Sequence, residues 1–374
     1  MAVIKKPANF SRLFGKAEVN QLAKQFQVGE SIEVINYIRQ GRKELFSDIA
    51  QDTAKKAFLK VSTGNFVLKE FPWFVTSTTF PDAVLRLQTN LRERFGLPIP
   101  EYVSTVHDGK MYVSMDGLEN LRIVTLQNLI VCTSWSGSPE QIRSSAHILR
   151  RLHLASGVML SEGKITGIPT ETVFDHTLSL LEVGYEEIIR DRISNFSEQE
   201  IEKLDHLVEN YRKEILLAKE SALSNEYLLI MIPVHGDFHQ NNILFDSHGE
   251  VAGIVDFDNC CIDHPVNDVA KMILSFGFFN VSEGKHPFEK IPKQIATNSA
   301  SDFLSAYLED NIYAETIKNN LAATAKTVAL QLAFLGILTG GYNSSRLEEL
   351  DEMPGKIEGE MNSFMQMYHI RSNT

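Results

Sequence analysis

Long apolar runs are missing from this chain of 374 residues, and no stretch reaches the length of a membrane span. Cysteine is scarce: Cys132, Cys260 and Cys261 are the only thiols, with no Cys-x-x-Cys pair, which excludes a disulfide framework and points to a reducing, cytoplasmic setting. Basic residues are outnumbered, 36 Lys and Arg against 48 Asp and Glu, for a formal net charge of −12. That balance argues against a nucleic-acid partner, whose phosphates demand a basic surface. It is compatible with a cationic ligand, and equally with acidity that serves only solubility. Behind Lys5 and Lys6 stand Pro7, Asn9 and Ser11 rather than an apolar core, so no secretory signal is expected. Several catalytic signatures are absent as well: there is no Gly-x-Ser-x-Gly elbow and no His-Glu-x-x-His zinc helix. The segment from Gly157 to Lys164 has glycine spacing one residue too long for a phosphate loop, and Ile165 replaces the required hydroxyl residue.

What is present is concentrated between Val234 and Asn259, in VHGDFHQNNILFDSHGEVAGIVDFDN. Phosphoryl transfer asks a protein chiefly for positioning and charge neutralisation: a carboxylate beside the attacking hydroxyl and hard oxygen ligands for magnesium. Asp237, with Asn242 after four intervening residues, has the spacing of a kinase catalytic loop. Asp237 is the expected catalytic base or hydroxyl-orienting group, and Asn242 a metal ligand. Asp256 in GIVDFDN is placed to be the second metal ligand. Leu228 to Val234 reads as a buried strand delivering His235. Ile243 to Phe245, a turn over Ser247 to Glu250, and Val251 to Phe257 form a hairpin that brings Asn242 and Asp256 together.

With these residues in view, the chain resembles the aminoglycoside phosphotransferase and choline kinase-like small-molecule kinases. His235, Gly236, Asp237 and the run to Asn242 match that family's loop throughout. Gly236 stands where protein kinases usually carry Arg, and no Ala-Pro-Glu tripeptide follows the metal Asp, which favours a small-molecule acceptor over a protein. Leu149 to His153 and His264 to Ile273 fit the same family. The resemblance implies that Asp268 braces the catalytic loop through backbone contacts. It also implies ATP as donor, with GTP open, magnesium as metal, and an acceptor among aminoglycosides, amino alcohols, homoserine and sugars. His153, His235 and His239 are expected to be structural.

The implied fold class is α+β: a two-lobed protein kinase-like fold with an antiparallel sheet over residues 1–117 and a larger, mainly helical lobe over 118–374. Ala57 to Ser62 and Phe66 to Phe71, joined by Thr63, Gly64 and Asn65, read as an antiparallel hairpin. Lys69 on the second strand is the expected phosphate-binding lysine. Pro81 to Phe95 reads as a helix ending at Gly96, yet it offers Arg86 and Gln88 where the family would place a Glu for Lys69. The partner of Lys69 is therefore unassigned. Residues 40–54 contain a single glycine, Gly41, where a glycine-rich loop could cover the phosphates. Lys110 to Met115 reads as a strand entering Asp116 and Gly117. From order alone, Met115 and Gly117 are expected at a hinge facing the nucleobase. Further on, Pro139 to Ala155, Val173 to Arg192, Glu198 to Ser221, Asp302 to Asp310 and Ile317 to Ile337 show helical apolar spacing, and Glu283 to Lys293 reads as a loop.

Two other readings compete. A metallohydrolase could use Asp237, His239, Asp256, Asp258, Asp263 and His264, but the upstream Asp-x-His and the Gly-Asn-His segments of metallophosphoesterases are missing. A catalytically inactive nucleotide-binding relative would explain the departures in the first lobe, while joint retention of Asp237, Asn242 and Asp256 argues against it. Asp258 is open between approach to a second metal and a turn cap. Glu182, Glu186, Tyr307 and Glu309 are scattered candidates for acceptor contacts, and neither the acceptor nor the oligomeric state is legible.

Overall fold

The computed structural model describes residues 16–28, 32–37, 56–72, 75, 77–116, 121–133, 135–192, 197–278, 297–338 and 344–372. A short helix, α1 (Lys16–Ala23), precedes β1 (Ile32–Tyr37), β2 (Lys56–Val61) and β3 (Gly64–Glu70). After α2 (Thr79–Phe95) come β4 (Tyr112–Asp116) and β5 (Leu121–Asn128). Together the strands make one antiparallel sheet in the order β1-β2-β3-β5-β4. The hairpin expected around Thr63–Asn65 forms there, with Lys56 opposite Lys69 and Val61 opposite Gly64. Leu59, Leu68, Val124 and Leu126 from this sheet bury against Val19, Leu22 and Phe26, which gives the lobe its own core. Gly96, at φ 61°, ends α2 as the left-handed cap that glycine allows, its N–H returning to the carbonyls of Arg92 and Leu91.

Across the sheet's other alternation, Glu70 is buried and Arg122 grips it with two bonds, Nε to Oε1 at 3.0 Å and Nη2 to Oε2 at 2.7 Å. The same guanidinium reaches Glu18 Oε1 at 2.6 Å, tying α1 to the sheet. Fork geometry makes this a strong pair, and removing Arg122 takes away the two charge-assisted bonds that Glu70 accepts from it. Arg122→Ala is expected to destabilise the protein by about 2 kcal/mol, the low end for breaking such a pair because the guanidinium is partly exposed. Chemical denaturation of the variant beside Glu70→Gln checks this.

The second lobe is helical around a small β element. Helices α3 (Pro139–Ser161), α4 (Val173–Arg192), α5 (Glu198–Ser224), α6 (Val266–Phe278), α7 (Thr297–Leu308), α8 (Ala314–Leu338), α9 (Ser344–Asp351) and α10 (Met353–Ser372) share one large core. Two antiparallel pairs lie within it: β6 (Ile232–Val234) with β9 (Cys261–Asp263), and β7 (Ile243–Phe245) with β8 (Val251–Ile254). Ser138 and Ser197 cap α3 and α5, the latter in a reciprocal capping box with Glu200.

Three expectations need correction. The strand expected over Leu228 to Val234 is confined to Ile232–Val234, because Tyr227–Leu229 makes a 3-10 turn that leaves Leu228 and Leu229 exposed. The strand expected from Val251 to Phe257 stops at Ile254. Met115, expected at a hinge, lies within the sheet instead: it pairs with Arg122 and Asp116 pairs with Leu121, and β5 runs on to Asn128. Gly117 itself, Gly41 and the loop Glu283 to Lys293 lie outside the described residues.

Candidate active site

The catalytic loop begins where β6 ends, and its backbone is held by one buried carboxylate. Asp268, at the start of α6, accepts the His235 N–H at 2.8 Å on Oδ2 and the Gly236 N–H at 2.9 Å on Oδ1. The brace implied by the resemblance is thus present as contacts. His153 of α3 lies with Nε2 3.1 Å from Asp268 Oδ2 and Nδ1 2.6 Å from the Tyr307 hydroxyl of α7. With the proton on Nε2, the imidazole donates to Asp268 and accepts from Tyr307, so a three-member chain crosses the helical core to the loop. Asp268 is fully buried, and burial alone would raise its pKa; His153, His235 and Lys271 outweigh this and hold it below the usual carboxylate range. Lys271, one turn further along α6, donates to the Gly236 carbonyl.

Gly236 has φ 78°, a left-handed conformation, and a Cβ built on it would stand 1.9 Å from the Asn259 carbonyl oxygen. No other residue fits there. His235 is buried, its Nε2–H donates to the Val255 carbonyl at 2.9 Å, and its Nδ1 accepts the Asp237 N–H at 3.2 Å. Burial pushes this imidazole's pKa down, which keeps it neutral and structural, as expected.

The Asp237 carboxylate is about one-third exposed, 36% of its side chain. His239 Nε2 lies 3.4 Å from Oδ2. Partial burial would raise the Asp237 pKa, but His239 and Lys271 dominate and hold it far below the usual range. The group is therefore an ionised acceptor that can orient a hydroxyl, and a weak base until that hydroxyl has begun to react. Asn242 folds its amide back onto this residue, Nδ2 to the Asp237 carbonyl at 2.9 Å.

The hairpin of β7 and β8 then closes the arrangement. Asp246 accepts the His248 and Glu250 N–H groups at 2.8 and 3.0 Å to make the turn, and Val255 N–H returns to the Asn242 carbonyl at 3.0 Å. Asn242 and Asp256 are thereby neighbours, as the hairpin reading requires. Asp256 sits at φ 72° and ψ 56°, a left-handed backbone that a non-glycine residue holds only under constraint. Its carboxylate faces the sheet lobe. Lys69 Nζ contacts Oδ1 at 2.7 Å, and Lys56 Nζ contacts Oδ2 at 2.9 Å.

Lys69 also meets Asp258 Oδ1 at 2.6 Å. Its missing acidic partner is therefore supplied by the segment of Asp256 and Asp258, not by α2. On α2, Gln88 is buried and accepts the Tyr102 hydroxyl at 2.8 Å instead. Burial would lower the Lys69 pKa, but the two carboxylates reverse this and raise it above the usual lysine value. Asp256 is held well below the carboxylate range by Lys69 and Lys56 against the push of burial. Asp258, more enclosed and beside Asp256, is pushed up by burial and by its neighbour's charge. The two acids therefore differ in kind: Asp256 carries the durable charge.

A hard cation held by Asn242, Asp256, water and phosphate oxygens suits this donor set, since magnesium prefers few protein ligands and shares the rest with a nucleotide. Among the described residues no three His, Cys, Asp or Glu side chains converge as a metal cluster. Two of the residues that a hydrolase reading would use are engaged elsewhere. Asp263 accepts Tyr227 OH, His264 N, Val173 N and Asn267 Nδ2, and His264 is buried against the Tyr227 ring with centroids 4.8 Å apart.

Lys56 is the functional candidate that sequence reading missed. Its one signal was position: it opens the strand paired with the Lys69 strand. Of the scattered acceptor candidates, Tyr307 is buried in the helical core and committed to His153. Among the described residues, no helix is long and apolar enough to cross a membrane.

Comparison with known proteins agrees with this geometry. No curated protein sequence matches the chain. Among solved structures, an amicoumacin kinase in complex with AMP-PNP, Ca2+ and Ami superposes with a TM-score of 0.59 at 14% identity, covering 92% of this chain and 94% of that one. A microcompartment-associated aminopropanol kinase gives 0.59 at 11% identity, over 94% and 97% of the two chains. An ethanolamine kinase of Plasmodium vivax gives 0.52 at 11% identity, over 88% and 82%. At these identities the likeness is one of fold. The profile of the phosphotransferase enzyme family matches residues 54–284, a span holding both lysines, the catalytic loop and the metal segment. The chain thus belongs to the phosphotransferase enzyme family and is a small-molecule kinase with the two-lobed protein kinase-like fold.

Proposed function

We propose that this protein transfers the terminal phosphoryl group of ATP, with magnesium, to a hydroxyl of a small molecule by direct in-line displacement. The supporting observation is that Asp237, Asn242 and Asp256 converge on one space that Lys69 enters from the sheet. Asp237 orients the acceptor hydroxyl and receives its proton as the bond to phosphorus forms. Asn242 and Asp256 would hold magnesium, which neutralises phosphate charge when bound. Lys69 binds the phosphates. We assign the backbone that meets the nucleobase to the chain just after Asn128, where the strand pairing ends, and propose the lobe boundary there rather than at residue 117. GTP can replace ATP only if that backbone pairs with a guanine edge.

An amine-bearing hydroxyl compound is the acceptor class we favour, for two reasons. The net charge is −12, and kinases of aminopropanol and ethanolamine share the fold. The cytoplasm is the compartment that the unpaired thiols Cys132, Cys260 and Cys261 suit.

The test is magnesium-dependent ADP release with ATP and a panel of amino alcohols, aminoglycosides, homoserine and sugars, with Asp237→Asn as control. Release stimulated by one class, and reduced about a thousandfold in the variant, is the expected result. Equal release by Asp237→Asn would remove Asp237 from the chemistry.

A further inference from the structure

We infer that Lys56 is a second phosphate-binding cation, acting beside Lys69 from the neighbouring strand. The inference rests on the kinase reading above and extends it to a residue outside the expected site.

Lys56 and Lys69 are direct antiparallel partners on β2 and β3, so their side chains leave the sheet on the same face. Two ammonium groups in that relation repel, and an anion between them relieves the repulsion. In the described structure that anion is Asp256, gripped by one lysine on each oxygen. Lys69 has a second counterion in Asp258, whereas Lys56 is paired through Asp256.

A metal on Asp256 changes this balance. With magnesium bound, the hold of Asp256 on two ammonium groups would weaken, and among the described residues Lys56 is paired with no other carboxylate. The Lys56 side chain is 30% exposed, against 9% for Lys69, so it is free to swing from Asp256 to a phosphate oxygen. The lysine pair thus acts on the nucleotide's phosphate chain, with no contact to base or ribose.

The test uses the full-length protein and calorimetric titration with MgATP and, separately, with adenosine. Lys56→Met is expected to weaken MgATP binding about tenfold and to leave adenosine binding unchanged, the size of effect set by one charge-assisted bond. Lys56→Arg should stay within about threefold of the parent, because the charge is kept. If Lys56 only clamps Asp256, Lys56→Met will shift the melting temperature but leave the ratio of MgATP to adenosine affinity as it was, and the inference falls. A parent protein that binds no MgATP would overturn both this inference and the kinase reading. Weakened MgATP binding in Lys56→Met, with no transfer to any acceptor in the panel, would uphold the lysine pair and count against the transfer reaction alone.

Discussion

Asp256→Asn is expected to lower turnover by about a thousandfold at saturating magnesium, the loss of about 4 kcal/mol of transition-state stabilisation when a metal ligand loses its charge. Asparagine is the informative replacement because it tolerates the left-handed backbone that Asp256 adopts at φ 72°. Asp256→Ala removes the charge and also strains the backbone by about 1 to 2 kcal/mol, so its melting temperature should fall further than that of the asparagine variant. Comparing the two separates chemistry from folding. Both variants also free Lys56 and half-free Lys69, leaving Asp258 as the acid beside the buried ammonium. Turnover within tenfold of the parent in Asp256→Asn would remove Asp256 as the metal ligand.

Gly236→Ala should be the most damaging alanine substitution among the described glycines. The added methyl would meet the Asn259 carbonyl oxygen at 1.9 Å and its carbon at 2.7 Å, both backbone atoms. It would also force a left-handed backbone on alanine. Asn259 cannot retreat cheaply, since it closes the 3-10 turn that begins at Phe257 and leads into β9, the partner strand of β6. Whichever segment yields, Asp237 and Asp256 move apart, and the bonds from His235 and Gly236 to Asp268 stretch. A destabilisation of at least about 3 kcal/mol is expected, with turnover below detection in whatever fraction folds. Denaturant titration alongside the ADP-release assay checks both. Parent-like values would mean that the loop and the 257–259 turn are not packed as described.

The parts of the site that could be read from sequence were those set by local spacing. Asp237, Asn242 and Asp256 lie within 20 residues, and the intervening turn carries its own chemistry in Asp246 and Gly249. The hairpin of β2 and β3 announced itself through Gly64 and alternating apolar residues for the same reason. Illegible features depended on register or on distant chain segments. Lys56 acquires meaning only once Cα pairing sets it opposite Lys69. The counterion of Lys69 was sought in α2, the nearest helix in sequence, and it comes instead from residues 187 and 189 positions away. β5 was overlooked because its burial falls on a continuous run, Ile123 to Gln127, as expected for a central strand covered on both faces. Without β5, the end of β4 looked like the exit from the sheet. The helices α9 and α10, spaced with Glu, Lys and Gly, bury Leu347, Leu350, Ile357, Met361 and Phe364 in the common core without a contrast strong enough to stand out.

The three ammonium–carboxylate contacts among Lys56, Lys69, Asp256 and Asp258 also act as a latch. They tie strands β2 and β3 to the segment that follows β8, so a change at any of these four side chains reaches the sheet and the helical body at once.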